Sequence, residues 1–329
     1  MLRIRWLIAV AALSFSPVIA MGADTSARLP VLTNDDAWKR LPGAPSTPQP
    51  LPMWARMYAG PMPLATSAML ELDAMHRTGD RLAPRARALI RWAAADANAC
   101  AYSKAVAVRD FPELPKLLAN PDRLEIGERA AMLFARKMML RAYAVTDEEF
   151  KAVHDAFGEE PTVAIVSMLA FASFHDRLIL AMNAPLEPDG PPPPLMVKFE
   201  RPKPKPHPMG ADMIGKTGRV ANASKGLAND DEWLRMTFRD LRNNLDQQRE
   251  RSGRIRVPSK AEVTKRLGEG HPALWQNDIL WSRVCNGFQP ELTAAWFECV
   301  TQFRQESKLD RVFEQCIFWV VTRSLQCFY

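Results

Sequence analysis

Five cysteines and two His-Asp dipeptides carry the most obvious chemistry in this 329-residue chain. The cysteines are Cys100, Cys285, Cys299, Cys316 and Cys327; the dipeptides are His154-Asp155 and His175-Asp176. A thiolate is a nucleophile, a metal ligand and half of a disulfide. An odd number of cysteines in an exported chain leaves at least one without a partner. The two His-Asp pairs stand on different helical stretches, at no spacing that forms a metal set. For His175 the polar face of a long helix is the plainer account than a groove. The basic run "RERSGRIR" has no interleaved aromatics, so nucleic acid is not implied. Neither a Gly-rich phosphate loop nor a serine nucleophile elbow occurs. The chemistry to be explained is thiol chemistry.

Helices must position these groups. Apolar residues are 47% and charged residues 24% of the chain, which suits folded globular domains, and the net charge of +6 is dispersed. The stretches "LATSAMLELDAMHR", "RARALIRWAAADANACAYSKAVAV", "GERAAMLFARKMMLRAYA" and "VAIVSMLAFASFHDRLILAM" all repeat apolar residues at helical spacing. Thr146 and Glu149 form a capping box for a further helix that Gly158 should stop. No sustained alternation of period two appears, so the expected class is all-α.

Residues 1–23 have Arg3 and Arg5, an apolar run and small residues at a cleavage site, which predicts a signal peptide and a periplasmic or secreted protein. The rival is a retained membrane anchor, for which the run is short; no later segment is expected to form a stable membrane span. Residues 24–50 are expected to be an extended lead-in and 51–183 a helical domain. Residues 184–230 are Pro-rich and expected to form a solvated, semi-rigid linker. Helical pattern resumes over 231–329.

A shift of 227 residues lays "MWARMYAGPMPLATSAMLEL" on "LWSRVCNGFQPELTAAWFEC" without a gap. Over positions 54–102 there are 13 identities in 49, among them Trp54/Trp281, Glu71/Glu298, Trp92/Trp319 and Cys100/Cys327. Average residue usage would give roughly three. The pattern predicts a tandem duplication with the second copy cut off partway, as in a fragment or a truncated gene. The final "CIFWVVTRSLQCFY" has no Gly or Asn cap and reads as a helix interrupted in mid-course. Cys285, Cys299 and Cys316 align with Tyr58, Leu72 and Leu89, so core packing is expected for all three.

The order of elements resembles the alkylhydroperoxidase D (AhpD) and carboxymuconolactone decarboxylase superfamily: an Ile- and Trp-bearing helix, Cys-x-Tyr, the "GERAAMLFARKM" helix, a Thr-capped helix and a long apolar helix. The resemblance covers 51–183, and 273–329 as far as they go. It implies an AhpD-like helical bundle, homo-oligomers, no cofactor or metal, and thiol-dependent peroxidase (peroxiredoxin-type) or disulfide reductase activity. Its partners would be a small hydroperoxide and a thiol or disulfide donor. Redox members of that family pair two cysteines one helical turn apart, with a histidine four residues on and an upstream glutamate. These groups generate the thiolate and relay protons. Here Cys100 and Tyr102 match, while Ser103 stands for the second cysteine, Ala107 for the histidine and Ala88 for the glutamate. The first copy is therefore expected to be inactive, and Cys327 to begin the catalytic motif of the second. Gln315 or Glu314 stands near its glutamate position. In the family register a cysteine would follow Tyr329. The alternatives are a non-catalytic helical scaffold for ligand binding or assembly, and an enzyme resembling the lactone decarboxylases.

Overall fold

The computed structural model describes residues 26–43, 48–202, 233, 235–248, 253–271, 273–274 and 279–327. Residues 1–23, where a signal peptide is expected, most of the Pro-rich stretch (203–230), Phe328 and Tyr329 lie outside the described residues. Among those described, every regular element is helical, as the periodicity predicts: fourteen α-helices, two short 3-10 turns and no strand.

Helix α1 (Asn34–Arg40) and α2 (Met53–Tyr58) lead into α3 (Pro63–Thr78), α4 (Pro84–Ala97), α5 (Ala101–Asp110) and α6 (Leu114–Leu118). Then come α7 (Ile126–Arg141), α8 (Asp147–Phe157) and α9 (Glu159–Met182). The later helices are α10 (Phe238–Gln248), α11 (Lys260–Leu267), α12 (Leu280–Phe288), α13 (Pro290–Glu306) and α14 (Arg311–Ser324). α4 is the hub, with α5, α7 and α9 packed around it. Its small residues Ala88, Ala93, Ala94 and Ala95 are all buried, which lets the neighbouring backbones approach closely. α9 has the length and apolar content of a membrane-crossing helix, contrary to the expectation for segments past residue 23. It is instead the central wall of the bundle, with Ile165, Leu169, Phe171 and Ala172 buried.

Local signals explain the helix ends. The Thr146–Glu149 capping box forms in both directions, and Gly158 ends α8 at φ +83, a conformation that favours glycine. The helical pattern over 85–108 is divided between α4 and α5. Ala99 turns left-handed at φ 55, and the Cys100 N–H returns to the Ala95 carbonyl at 2.8 Å, the closing bonds of a Schellman cap with alanine in glycine's usual place. α14 ends in the same way: Gln326 has φ 51, and the Cys327 N–H reaches the Thr322 carbonyl at 3.0 Å. The final helix is thus capped rather than interrupted, because Gln326 accepts the left-handed turn that its sequence does not advertise.

Two further expectations need correction. The lead-in is not simply extended: Thr33 caps α1, and Trp38, 2% exposed, stacks on Phe199 at 5.9 Å. The described part of the Pro-rich stretch is not a solvated spacer either. Leu195 and Phe199 are buried, and Glu187 accepts from the Met53 N–H (2.6 Å) and the Tyr102 hydroxyl (2.7 Å). Apolar residues interspersed among the prolines hold this strap against the bundle.

The helix starts recur at the 227-residue offset: 53 and 280, 63 and 290, 84 and 311. α3 and α13, which correspond in that register, pack on each other in antiparallel fashion. Glu306, at the end of α13, accepts from the N–H groups of Leu64 (2.9 Å) and Ala65 (2.8 Å) at the start of α3. Midway, Arg201 of the strap donates to Glu71 (2.5 Å) and to Glu298 (3.2 Å), the aligned pair of glutamates.

Candidate functional site

α3 supplies Asp73, His76 and Arg77, α4 supplies Arg87 and Arg91, α5 supplies Ser103 and Asp110, and α9 supplies Phe171, His175 and Asp176. Spacings of three and four residues put each helix's contribution on one face. These faces meet around a cavity of about 30 Å³, large enough for one or two water molecules.

Two ion-pair systems flank the cavity. Asp176 is fully buried, and its carboxylate receives four donors. Oδ1 accepts from Arg91 (2.5 Å) and Ser103 (2.6 Å), and Oδ2 from Arg91 (3.1 Å) and Asn98 (2.8 Å). Burial alone would push this carboxyl up; the Arg91 guanidinium and its hydrogen bonds hold it below the usual range. Arg77 grips Asp110 through two bonds of 2.8 and 2.6 Å, touches Asp73 at 3.3 Å and donates to the Pro192 carbonyl of the strap at 3.0 Å.

Between these systems stands an aromatic stack. His76 and Phe171 lie 4.6 Å apart, Phe171 and His175 5.0 Å, all nearly parallel, and Trp54 meets His175 edge-on at 4.9 Å. His175 is 2% exposed, and neither of its ring nitrogens has a hydrogen-bond partner among the described residues. Burial lowers the His175 pKa to about 4 and that of His76 to about 3, with Asp73 only partly opposing. Both rings are therefore neutral at pH 7, each with one donor and one acceptor to offer. His175 accordingly lies on a long apolar helix as expected, but it faces the cavity and not a polar surface.

Cys100 sits where the sequence puts it, at the N-terminus of α5 one turn from Ser103, with Sγ and Oγ 3.4 Å apart. It is fully buried, and burial, then the Asp176 carboxylate, push its thiol up. Ser103 is committed: its hydroxyl donates to Asp176 and accepts from Arg91 at 2.9 Å. A protonated, enclosed thiol beside a committed serine is a poor nucleophile. Ala88 and Ala107, which the resemblance sets at glutamate and histidine positions, line the cavity.

Cys327 is exposed at the end of α14. Gln315 is exposed on that helix, and Glu314 lies 3.9 Å from Arg304. Of the three cysteines assigned to the core, Cys299 is buried and Cys285 half-buried, but Cys316 is exposed. Among the described residues nothing covers α14 as α5 and α7 cover α4, so Cys316 stays exposed despite its apolar register. Among the described residues, no group of three or more His, Cys, Asp or Glu is placed to hold a metal ion.

Sequence reading missed His76, Asp73, Arg77 and Arg91, and noted Asp176 only within a dipeptide that lacks metal spacing. A signal was available in Arg91 and Asp176, charges set inside otherwise apolar helical runs, where a lone charge needs a partner. Pairing across 85 residues has no short-range signature. Comparison of the chain with family models, with curated proteins and with solved structures found no match.

Proposed function

We propose that the chain is an exported, AhpD/carboxymuconolactone decarboxylase-like tandem protein whose first helical unit has exchanged thiol redox chemistry for the binding of a small molecule. Cys327, the aligned and exposed thiol of the second unit, would carry any peroxidase or disulfide-exchange chemistry with a small hydroperoxide or thiol donor. The observation that carries the binding role is His175, whose buried nitrogens have no partner among the described residues and face a small cavity that His76 joins to a larger one of about 180 Å³. A buried polar group left without a partner costs about 1–3 kcal/mol, and a bound molecule would offset it. The tandem reading is supported by helix starts and left-handed caps that recur at one offset, and the AhpD-like reading by a cysteine at a helix N-terminus with its pair position one turn on.

Thiol labelling of the native chain, resolved residue by residue by mass spectrometry, tests the proposal. Cys327 and Cys316 should label quickly and Cys100 only on unfolding, and any turnover of an organic hydroperoxide should survive Cys100→Ser. Labelling of Cys100 at the rate of Cys327, or turnover abolished by Cys100→Ser, would sink the non-redox reading of the first unit.

Assembly is a second reading that one feature favours. Val312, Phe313, Phe318 and Val320 are all more than half exposed on α14, a larger apolar display than an isolated surface residue requires.

A further inference from the structure

The antiparallel pair α3–α13 has two ends, and they are not alike. At one end the Glu306 carboxylate takes the first N–H groups of α3, at 2.9 and 2.8 Å. A carboxylate there satisfies donors that have no partner within the helix and complements the helix dipole. The 227-residue offset carries Leu64 and Ala65 onto Glu291 and Leu292, and Glu306 onto Gly79. At the other end, then, the acid's counterpart has no side chain. No described residue accepts from the N–H groups of Glu291 or Leu292.

A cavity of about 180 Å³ lies at that end, bounded by α3, α4, α9 and the start of α13. Three of its polar groups suit an anion. Gln289, the residue before α13, is 4% exposed, lines the cavity, and has no hydrogen-bond partner among the described residues at its side-chain nitrogen or oxygen. Arg87 donates to the carbonyls of Gly79 and Leu82 but forms no ion pair among the described residues. Its counterpart at the Glu306 end is Glu314, so the charge is reversed exactly where the acid is missing from the chain. His76, neutral at pH 7, joins this cavity to the smaller one at His175. Of the acids nearby, Asp110, whose charge reaches Arg87, is gripped by Arg77, Asp80 is paired with Arg81 at 3.7 Å, and Glu291 is exposed. The remaining wall is apolar, with Met75, Leu82, Met168 and Leu292. A dry cavity of about 150 Å³ accommodates benzene.

We propose that this cavity binds a small carboxylic acid with a ring-sized apolar body, its carboxylate occupying the place that Glu306 fills at the opposite end of the helix pair. The carboxylate meets the α13 N-terminus, Gln289 and Arg87, and the apolar body lies against Met75, Met168 and Leu292. Because Gln289 comes from the second helix set and Arg87 from the first, the site exists only when the two are docked. The inference gives a ligand class to the binding role proposed for the first unit, and uses the duplication only as its template.

Calorimetric titration of the full chain with benzoate, and with benzyl alcohol as a neutral molecule of similar size, tests it. Benzoate should bind at least about tenfold more tightly, and Arg87→Gln should remove that preference, since a hydrogen bond to a charged group accounts for roughly ten- to a hundredfold. Gln289→Leu should weaken benzoate several-fold with no loss at Cys100 of its resistance to labelling. Equal affinity for the two molecules, no binding of benzoate, or an undiminished preference in a folded Arg87→Gln variant would overturn the proposal. The comparison on the unaltered chain decides the matter even where a variant fails to fold. Absence of benzoate binding together with an unreactive Cys100 would reject the ligand class alone and leave the non-redox reading standing.

Discussion

The helices α2–α4 and α12–α14 start at corresponding positions, and α4 and α14 end on corresponding left-handed turns, yet the two sets have opposite interiors. In the first set Asp73, His76 and Arg91 build a buried polar site. At the offset of 227 the second set has Val300, Phe303 and Phe318. The first set can keep its charges because α5 and α9 deliver Ser103, Asp110 and Asp176 to meet them. The second set has apolar residues at these positions and leaves Phe318 61% exposed on α14. The lesson is one of supply: a buried charge is tolerated where a later helix brings its partner, and a helix without such a neighbour fares better without the charge. The conserved Glu71/Glu298 pair makes the complementary point, since each faces the same Arg201.

The sharpest way to break this comparison is to remove the partner. Asp176→Asn leaves the Arg91 guanidinium, whose side chain is 12% exposed, without its carboxylate. Loss of one member of a buried pair is expected to cost about 3–5 kcal/mol in urea denaturation. A loss under about 1 kcal/mol would mean that Arg91 finds water. Phe318→Arg, the reciprocal change on α14, should be nearly neutral.

Acid should distinguish the two sets next. His76 and His175 have pKa values of about 3 and about 4 in the fold, both below the unfolded value near 6.5. Between pH 4 and 6.5 the unfolded chain binds protons that the folded chain does not, so stability rises with pH across this window and falls as pH drops through it. His175 alone should contribute a slope approaching about 1.4 kcal/mol per pH unit in the middle of the window. Melting curves at stepped pH should show this slope diminished in His175→Phe; an unchanged slope would assign the acid sensitivity elsewhere.

Smaller effects test the helix ends. Glu306→Gln removes the charged acceptor at the start of α3 and should lower stability by about 1 kcal/mol, as loss of other N-terminal caps does. If the variant melts like the parent, the carboxylate does not act as the internal template for the opposite cavity. Ala99→Gly relieves a left-handed alanine that is exposed and should raise stability by up to about 1 kcal/mol. Gln326→Gly should gain less if α14 frays, and the difference between the two, measured by chemical denaturation, reads how firmly each set is folded.

By itself the sequence determined the helical class, the capping box at Thr146, the stop at Gly158 and the register that relates Cys100 to Cys327. Each of these depends on residues within one or two helical turns, or on identities that survive alignment. The resemblance also directed attention to Ser103 and Ala107, which the structure ties to Asp176 and sets on the cavity wall. Only the tertiary structure decided which charges pair. Asp176 lies 85 residues from Arg91, and a carboxylate's partner depends on which helix faces pack, a fact no local pattern carries. The same holds for the strap: Phe199 and Arg201 read as parts of a solvated linker until α1, α3 and α13 provide surfaces to bury them. The difference between Glu306 and Gly79 was visible in the alignment all along, but it acquired meaning from the antiparallel packing of α3 on α13. That packing brings the acid of one helix to the donors of the other, and at the opposite end leaves those donors facing a cavity.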